Sequence, residues 1–367
     1  MSWAGWAAAE ASRIRAAGQW RHPRDLDAAG PEGKLVDDGR PVVSFASNDY
    51  LGLTQHPAVV AAAHAALDRW GTGSGSARLI VGSRPVHSDL EAALAAWKGA
   101  ERAVVFPTGF AANLGVLTSF AGPGTLVCSD ELNHASIIDG CRLSRAEVAV
   151  YRHRDIEHLA ALLGAARSRR TIVVTDTVFS MDGDVAPVTD LAEVCRRSGS
   201  LLVLDEAHAV LEPDRALETV DLVRIGTLSK TLGALGGFVA GPATLCDLIV
   251  NRARSYIFTT ASTPADAAAA LAALAVLRSA EGDELRRRLR AHVDRVRPGH
   301  PSPIVPVVLG DEARTVAAAG ALLDRGLLVP AIRPPSVPAG TARLRVTLSA
   351  THTGAQVDRL VEALATL

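Results

Sequence analysis

The sequence predicts an α/β fold built on a mostly parallel central sheet, with a smaller α+β unit towards the C-terminal end. The main observation is a series of short runs rich in valine and leucine, separated by helical patterns. These runs do not alternate apolar with polar residues, which is typical of strands covered on both faces in a parallel sheet. We predict seven such strands, at residues 103–106, 126–128, 148–151, 172–175, 201–204, 222–225 and 238–240.

Length and composition indicate a globular protein of about two domains. The chain has 367 residues, of which 48% are hydrophobic and 21% are charged, so there is enough apolar material for a sizeable core. We predict an N-terminal helix and arm at 1–44 and a large sheet domain at 45–275. A charged helix followed by two strands and two further helices predicts a small α+β domain at 276–367.

Charge and cysteine content exclude several classes of protein. A net charge of -1 argues against a strongly basic nucleic-acid-binding protein and against a polybasic membrane-binding surface. The four cysteines are scattered without CxxC spacing, so we expect no metal site and no disulfide framework. Residues 1–15 lack the apolar run of a signal peptide, and the apolar stretch 267–277 is too short to cross a bilayer. These features favour a reducing, cytoplasmic location.

Lysine is rare in this sequence, which narrows the search for a reactive amine. It occurs only at Lys34, Lys98 and Lys230, since arginine supplies most of the positive charge. Lys230 lies in the small polar segment GTLSKTLG, just after the predicted strand 222–225. An exposed surface lysine is the ordinary interpretation, but a desolvated lysine near other cations forms Schiff bases with carbonyl cofactors.

Asp205 is the second chemical candidate. It follows the apolar run at 201–204, so it should lie at the carboxyl end of a buried strand, where a carboxylate is costly unless a cation meets it. A helix cap or an ion pair with arginine would explain this aspartate about as well as a functional role. Together with Lys230 at the same sheet edge, it suits pyridoxal 5′-phosphate, which needs a lysine and an acid partner for its ring nitrogen.

Further candidates follow other predicted strands or lie near helix starts. The turn at 107–115 ends a strand and begins a helix, and backbone N–H groups at a helix start bind anions such as phosphate. The glycine-rich segment 71–82 superficially matches a dinucleotide-binding fingerprint but follows no predicted strand, which argues against a dehydrogenase. The candidate contacts to a phosphorylated pyridine are Gly109, Phe110, His134, Ser180, His208, Thr227, Thr259 and Thr260.

Taken together, eight segments resemble the α-oxoamine synthases, which are fold-type I pyridoxal phosphate enzymes. Members of this family join an amino acid to an acyl thioester and release carbon dioxide. The segments occur in order over nearly the whole chain: SNDYLGL (47–53), GTGSGSARLIVG (71–82), PTGFAANLG (107–115), NHASIIDG (133–140), TDTVFSMDGD (175–184), DEAH (205–208), GTLSK (226–230) and RPPSVPAGTARLRVTLSATHT (333–353).

The resemblance implies a role for each candidate. Lys230 resembles the Schiff-base lysine and Asp205 the partner of the ring nitrogen. His134 is similar to the residue that stacks on the ring, and these three are the expected catalytic residues. Thr259 and Thr260 are similar to residues that reach the phosphate of a neighbouring subunit, which implies a homodimer. The other cofactor contacts implied by the resemblance are Gly109, Phe110, Ser180, His208 and Thr227.

The resemblance also implies the substrates. The segment 333–340 is most similar to the family member that serves biotin biosynthesis, which condenses L-alanine with pimeloyl-CoA or pimeloyl-acyl carrier protein. Arg333 then resembles the arginine that anchors the amino-acid carboxylate. Ser336 and Asn48 are expected as further substrate contacts. An N-terminal substrate-binding arginine matches Arg21 best, with Arg24 close by.

Two departures from the family pattern and two alternatives accompany this interpretation. The chain has no glycine between Gly199 and Gly226, where relatives have a longer glycine-rich segment after DEAH, and Ala77 replaces a serine in the 71–82 loop. One alternative is a relative that condenses glycine with acetyl-CoA. The other is a non-catalytic partner subunit of the same fold, against which the presence of Lys230, Asp205 and Arg333 argues.

Overall fold

The computed structural model describes residues 1–21, 23–166, 169–212, 217 and 220–367. Within these ranges there are thirteen α-helices: α1 (Trp3–Ala16), α2 (Pro57–Trp70), α3 (Pro85–Lys98), α4 (Gly109–Phe120), α5 (Ala135–Ser144), α6 (Ile156–Ala165), α7 (Val188–Ser198), α8 (Ala243–Arg252), α9 (Arg254–Ile257), α10 (Pro264–Leu277), α11 (Ala280–Val296), α12 (Glu312–Asp324) and α13 (Gly354–Leu364). A 3-10 turn (Leu53–Gln55) and a π turn (Arg78–Gly82) complete the helical elements of the same ranges.

The same residues form fourteen strands in three sheets. The strands are β1 (Leu26–Ala28), β2 (Glu32–Leu35), β3 (Pro41–Ser44), β4 (Arg102–Phe106), β5 (Thr125–Asp130), β6 (Glu147–Tyr151), β7 (Arg170–Asp176), β8 (Leu201–Asp205), β9 (Leu222–Thr227), β10 (Gly237–Gly241), β11 (Ile304–Gly310), β12 (Leu327–Leu328), β13 (Ala331–Ile332) and β14 (Ala342–Thr347).

The central sheet has seven strands in the order β4-β10-β9-β8-β7-β5-β6. Each of the seven predicted runs lies inside one of these strands, so the prediction of the sheet is confirmed. Strands β5 to β9 pair in parallel, whereas β10 runs antiparallel to both of its neighbours. The carboxyl ends of β5, β7, β8 and β9 therefore meet at one edge, where ligands bind in open α/β sheets.

Helices cover both faces of this sheet, which explains why its strands are almost uniformly apolar. Along β7, Ile172 and Val174 join the apolar cluster that includes α4 and α8 residues, whereas Val173 joins the cluster on the other face with α6 and α7. This alternation is the two-residue period of a strand with both faces buried. A third cluster connects α2, α3 and α10 to the C-terminal strands.

Two smaller sheets lie outside the central one. The first has the order β11-β14-β13, and the second has the order β1-β2-β3-β12. In the second sheet β12 pairs in parallel with β3, so hydrogen bonds connect the N-terminal arm to the C-terminal residues. The division of the chain at residues 44 and 275 stays a prediction. No helix within the described ranges has the length and apolar character that crossing a membrane requires.

Candidate active site

Lys230 lies beside His208 at the carboxyl edge of the central sheet. Lys230 follows β9 and is half-buried, and its Nζ is 2.9 Å from Nε2 of His208, which follows β8. Burial lowers the pKa of the Lys230 amine from its ordinary value, and the nearby Arg345 guanidinium adds to this, while Asp205 and Asp176 oppose it. A lysine in such a setting is a stronger nucleophile and base at neutral pH than a surface lysine.

Asp205 closes β8 as a buried carboxylate, only 5% exposed. Asn113 Nδ2 donates to its Oδ2 at 2.7 Å, and the Ala207 backbone N–H donates to its Oδ1 at 2.9 Å. Among the described residues it forms no ion pair within 4.0 Å, and the residues after it form a turn and not a helix. Neither the helix cap nor the arginine pair considered from the sequence therefore accounts for this carboxylate.

A second buried carboxylate, Asp176, lies next to the first. Asp176 ends β7 and pairs in register with Asp205 on β8. Burial raises the pKa of Asp176 well above its ordinary value, and the neighbouring Asp205 charge raises it further. The Asp176 carboxylate accepts the backbone N–H of His134 at 2.7 Å, which fixes the start of α5 at the sheet edge.

His134 precedes the first turn of α5 and is exposed. Its Nδ1 is 2.7 Å from the Ser136 hydroxyl, and that hydroxyl accepts a hydrogen bond from Asn113 Nδ2 at 2.9 Å. The helix-capping role considered from the sequence is thus present, and the exposed ring is still available to a ligand. Asn113 connects Asp205 to Ser136, and through Ser136 to His134, because its amide donates to both Asp205 Oδ2 and Ser136 Oγ.

An anion cradle lies at the start of α4. Gly109 and Phe110 open the helix, and the first N–H groups of a helix have no acceptor within it. Gly237 allows the backbone to approach this helix start closely, since a Cβ on Gly237 would lie 2.5 Å from the Gly109 nitrogen. Thr227 is adjacent, because a Cβ on Gly109 would lie 3.4 Å from the Thr227 Cβ.

The remaining predicted cofactor contacts occupy different places. Ser180 is half-buried, and its carbonyl accepts Arg345 Nε at 2.5 Å, which brings the 175–184 loop to the same site. Thr259 and Thr260 lie between α9 and α10. The next residue, Ala261, donates its N–H to the Ser76 carbonyl at 3.0 Å, so these threonines adjoin the glycine-rich loop.

Two residues that the sequence reasoning missed complete the site. Arg345 on β14 is 6% exposed, and its Nη2 donates to Asn48 Oδ1 at 3.1 Å. Tyr50 is fully buried, with its Oη 2.5 Å from His208 Nδ1 and 3.2 Å from Asn48 Oδ1. The alternation of arginine with apolar residues in ARLRVT was a usable signal, because a buried arginine on a strand requires an acceptor or an anionic ligand.

The predicted substrate residues Arg21, Arg333 and Ser336 line a separate cavity of about 160 Å³, and Arg24 is not among its lining residues. Arg333 Nη1 donates to the Gly18 carbonyl at 2.7 Å. The Pro330 carbonyl accepts the backbone N–H of Arg345 at 3.1 Å. Arg333 is three residues after Pro330, so the strand rise puts its Cα about 10 Å along the chain from this pairing with Arg345. Of the segment after His208 that departs from the family pattern, residues 213–216 and 218–219 lie outside the described residues.

The chain is similar to known proteins over most of its length. Residues 40–364 match the family of class I and II aminotransferases. The chain is 51% identical to an 8-amino-7-oxononanoate synthase of Anaeromyxobacter dehalogenans, over 98% of this chain and 94% of that protein. It is 47% identical to the enzyme of the same name from Burkholderia thailandensis, over 96% and 95%.

Solved structures show the same architecture. The serine palmitoyltransferase of Sphingomonas wittichii superposes with a TM-score of 0.90 at 33% identity, covering 98% of this chain and 95% of that one. An 8-amino-7-oxononanoate synthase from Francisella tularensis superposes with a TM-score of 0.74 at 25% identity, covering 89% and 97%. A further serine palmitoyltransferase, from S. paucimobilis, carries bound PLP and myriocin and superposes with a TM-score of 0.90 at 31% identity, covering 98% and 96%.

Proposed function

The chain belongs to the class I and II aminotransferase family and, within it, to the α-oxoamine synthases, and we propose that it makes 8-amino-7-oxononanoate for biotin biosynthesis. The reaction joins L-alanine to a pimeloyl thioester and releases carbon dioxide and the free thiol. The relatives that share about half of their residues with this chain, over nearly its whole length, carry that enzyme name. The single structural observation behind the proposal is the buried Asp205 carboxylate, which forms no ion pair among the described residues and lies near enough to the Lys230 amine to raise its pKa.

The site fits pyridoxal 5′-phosphate, the cofactor of this family. The buried Asp205 carboxylate has the charge that a protonated ring nitrogen requires, and the Gly109 and Phe110 N–H groups at the start of α4 can donate to a phosphate. When bound, the cofactor supplies an electron sink for the electrons that remain on the amino-acid Cα. We assign Lys230 to the covalent link and Asp205 to the ring nitrogen. The other contacts in this proposal are Gly109, Phe110, His134, Ser180, His208 and Thr227.

The chain's own groups can move the proton that the reaction requires. Lys230 Nζ, with its lowered pKa, is the base that we assign to the α-proton of L-alanine. His208 is buried and neutral, because burial and the Lys230 and Arg345 cations lower its pKa well below the ordinary value. We assign His134, which is exposed, to stacking on the ring and to contact with the acyl substrate.

In this proposal Arg345 and Arg333 bind the carboxylates of different substrates. Arg345 is electrostatically coupled to the Lys230 amine, which makes it the better candidate for the alanine carboxylate. A planar guanidinium forms two parallel hydrogen bonds with a carboxylate. Arg333, which the sequence assigned to this carboxylate, lines the cavity that contains Arg21 and Ser336. We propose that the guanidinium groups of Arg21 and Arg333 bind the terminal carboxylate of the pimeloyl chain instead.

We further propose a homodimer. Ile80 and Val81 in the π turn are 74% and 69% exposed, and Phe258 is 69% exposed. The hydrogen bond from Ala261 to Ser76 places this apolar surface beside Thr259 and Thr260. A second copy covering the surface would remove these side chains from water and bring the two threonines towards its phosphate cradle.

A cytoplasmic location is also a proposal. It is supported by the four cysteines, which are all buried and unpaired. The acyl carrier in the proposed reaction is either coenzyme A or acyl carrier protein, and we propose neither a nucleic-acid nor a membrane partner.

The test combines absorption spectra with a matrix of substrates. The purified protein with pyridoxal 5′-phosphate should absorb in the visible range, and Lys230→Ala should lose that band while Lys34→Arg, a change on the N-terminal strand β2, should keep it. L-Alanine with pimeloyl-CoA should give 8-amino-7-oxononanoate. Glycine or L-serine, each with acetyl-CoA or palmitoyl-CoA, should give much less product. Preferred turnover of glycine with acetyl-CoA would replace the proposal by the alternative member of the family.

A further inference from the structure

A continuous chain of hydrogen bonds connects the Lys230 amine to Arg345 through a tyrosine that has no assigned role. Lys230 Nζ is 2.9 Å from His208 Nε2, and His208 Nδ1 is 2.5 Å from Tyr50 Oη. Tyr50 Oη is 3.2 Å from Asn48 Oδ1, which also accepts a hydrogen bond from Arg345 Nη2 at 3.1 Å. Tyr50 and His208 are both buried. Their hydrogens are therefore shared among these partners and not with bulk water.

The direction of each bond follows from the arginine end. A guanidinium only donates, so the Asn48 atom that it contacts is the amide oxygen, which only accepts. The Tyr50 hydroxyl contacts the same oxygen and must give it its one hydrogen. Burial raises the pKa of Tyr50, so the phenol keeps that hydrogen at any ordinary pH. The phenolic oxygen then faces His208 Nδ1 as an acceptor.

His208 consequently has its proton on Nδ1. The imidazole carries only one proton, because burial and two neighbouring cations disfavour its charged form. With Nδ1 protonated, Nε2 presents a lone pair, and the Lys230 amine donates an N–H to it. Every donor in the series Lys230, His208, Tyr50 thus has an acceptor.

We propose that Tyr50 is a positioning residue that sets the tautomer of His208 and, through it, the protonation of the Lys230 amine. Without the phenolic oxygen, no other group in the described part of the chain holds the imidazole proton on Nδ1. A proton on Nε2 would point at the lysine, and an ammonium group has no lone pair to accept it. The hydroxyl of Tyr50 therefore favours the protonated lysine, against the burial that favours the neutral amine.

The other charged groups around the amine stay in place when Tyr50 changes. They are Asp205 and Asp176 at the strand ends, Arg345 on β14 and the titratable His134 at the start of α5. The role of Tyr50 in turnover rests on the proposed function, but the tautomer and the lysine pKa do not. Both can be measured in the cofactor-free protein.

Nuclear magnetic resonance offers a direct test, because the chain has only three lysines. Protein grown with ¹³C-labelled lysine should give three side-chain signals, which Lys34→Arg and Lys230→Arg assign. Protein grown with ¹⁵N-labelled histidine, with His208→Gln for assignment, reports which imidazole nitrogen holds the proton. We expect the Nδ1-protonated tautomer for His208 in the unaltered protein.

Tyr50→Phe should remove that preference. It should also increase the acid dissociation constant of the Lys230 ammonium about tenfold, which moves the midpoint of its titration to a lower pH. Tyr151→Phe is the matched control, since Tyr151 is also buried but lies on the edge strand β6, and it should change neither signal. A proton on Nε2 of His208 in the unaltered protein would overturn the proposal, and that measurement needs no variant. So would an unchanged Lys230 titration in a folded Tyr50→Phe protein. A protein with the expected tautomer that forms no product from L-alanine and pimeloyl-CoA would overturn the proposed function alone.

Discussion

Asp176 and Asp205 stand opposite each other at the carboxyl ends of β7 and β8, and both are almost completely buried. Two carboxylates in this position repel each other when both are ionised, and each loses hydration. Their proximity therefore destabilises the folded state at the sheet edge where ligands bind in such folds. A cationic ligand placed against Asp205 would relieve it, which is the property expected of a site for a protonated ring.

The first prediction concerns this pair in the cofactor-free protein. Because the pKa of Asp176 is raised in the folded state, the unfolded chain loses its proton first as pH rises, and stability falls from about pH 4 upwards. Asp176→Asn keeps an oxygen for the His134 N–H but cannot ionise. It should raise the thermal midpoint by a few degrees at pH 8 and by much less at pH 4.5. Asp190→Asn, an exposed change on α7, should have no such pH dependence. Equal effects of Asp176→Asn at the two pH values would contradict the assignment.

A second prediction separates the two carboxylates by function. Asp205→Asn should weaken binding of pyridoxal 5′-phosphate and lower kcat at least about a hundredfold, since an amide cannot hold a proton on the ring nitrogen by charge. The structure should survive, because the amide oxygen can still accept the Ala207 N–H. Cofactor titration and steady-state kinetics measure both quantities. Activity close to that of the unaltered protein would remove Asp205 from its proposed role.

The two arginines should affect different substrates. Arg345→Gln should raise the KM for L-alanine about a hundredfold, because a lost charge-assisted hydrogen bond costs a few kcal/mol. Arg333→Gln should raise the KM for pimeloyl-CoA and leave that for L-alanine nearly unchanged. A thioester with a methyl group in place of the terminal carboxylate should be insensitive to Arg333→Gln. If Arg333→Gln instead raises the KM for L-alanine, the original sequence-based assignment is right.

The fourth prediction concerns His153, which bridges two aspartates away from the reacting groups. Its Nδ1 is 2.9 Å from Asp130 and its Nε2 is 2.8 Å from Asp184. Burial lowers the pKa of His153, but the two carboxylates more than offset this and raise it to about 9. The raised pKa means that this bridge stabilises the fold fully below about pH 6.5 and that the contribution is lost as pH rises through about 9.

Urea unfolding of His153→Gln should show this loss. The variant should be less stable by up to about 3 kcal/mol at pH 6, and the difference should shrink towards zero by pH 10. His64→Gln, on the exposed side of α2, should match the unaltered protein throughout. A destabilisation by His153→Gln that is the same at both ends of the pH range would show that packing, and not charge, holds this contact.

Much of the fold was predictable because the central sheet follows from local pattern. Uninterrupted apolar runs between helical segments indicate doubly covered strands, and all seven were found this way. The short strands β12 and β13, of two residues each, were not predicted. They exist only because β3 and β14 offer free edges, and nothing in two residues can specify such pairing.

The site residues, too, fall into some that the sequence predicts and some that it does not. Lys230, Asp205 and the α4 cradle follow strand ends, so their common sheet edge could be inferred from the chain itself. Arg345 and Tyr50 could not, since Arg345 comes from the small C-terminal sheet and Tyr50 from the loop after β3. Their contacts with Ser180 and His208 span 165 and 158 residues of sequence.

By itself, the sequence determined which chemistry was available: one lysine in a polar loop, one acid after a buried strand and an anion-binding turn at the start of a helix. The tertiary structure decided which arginine lies at the site, because it packs the C-terminal sheet, with Arg345, against the carboxyl edge of the central sheet. That choice depends on packing between distant segments, and the number and type of arginines in a sequence do not encode it.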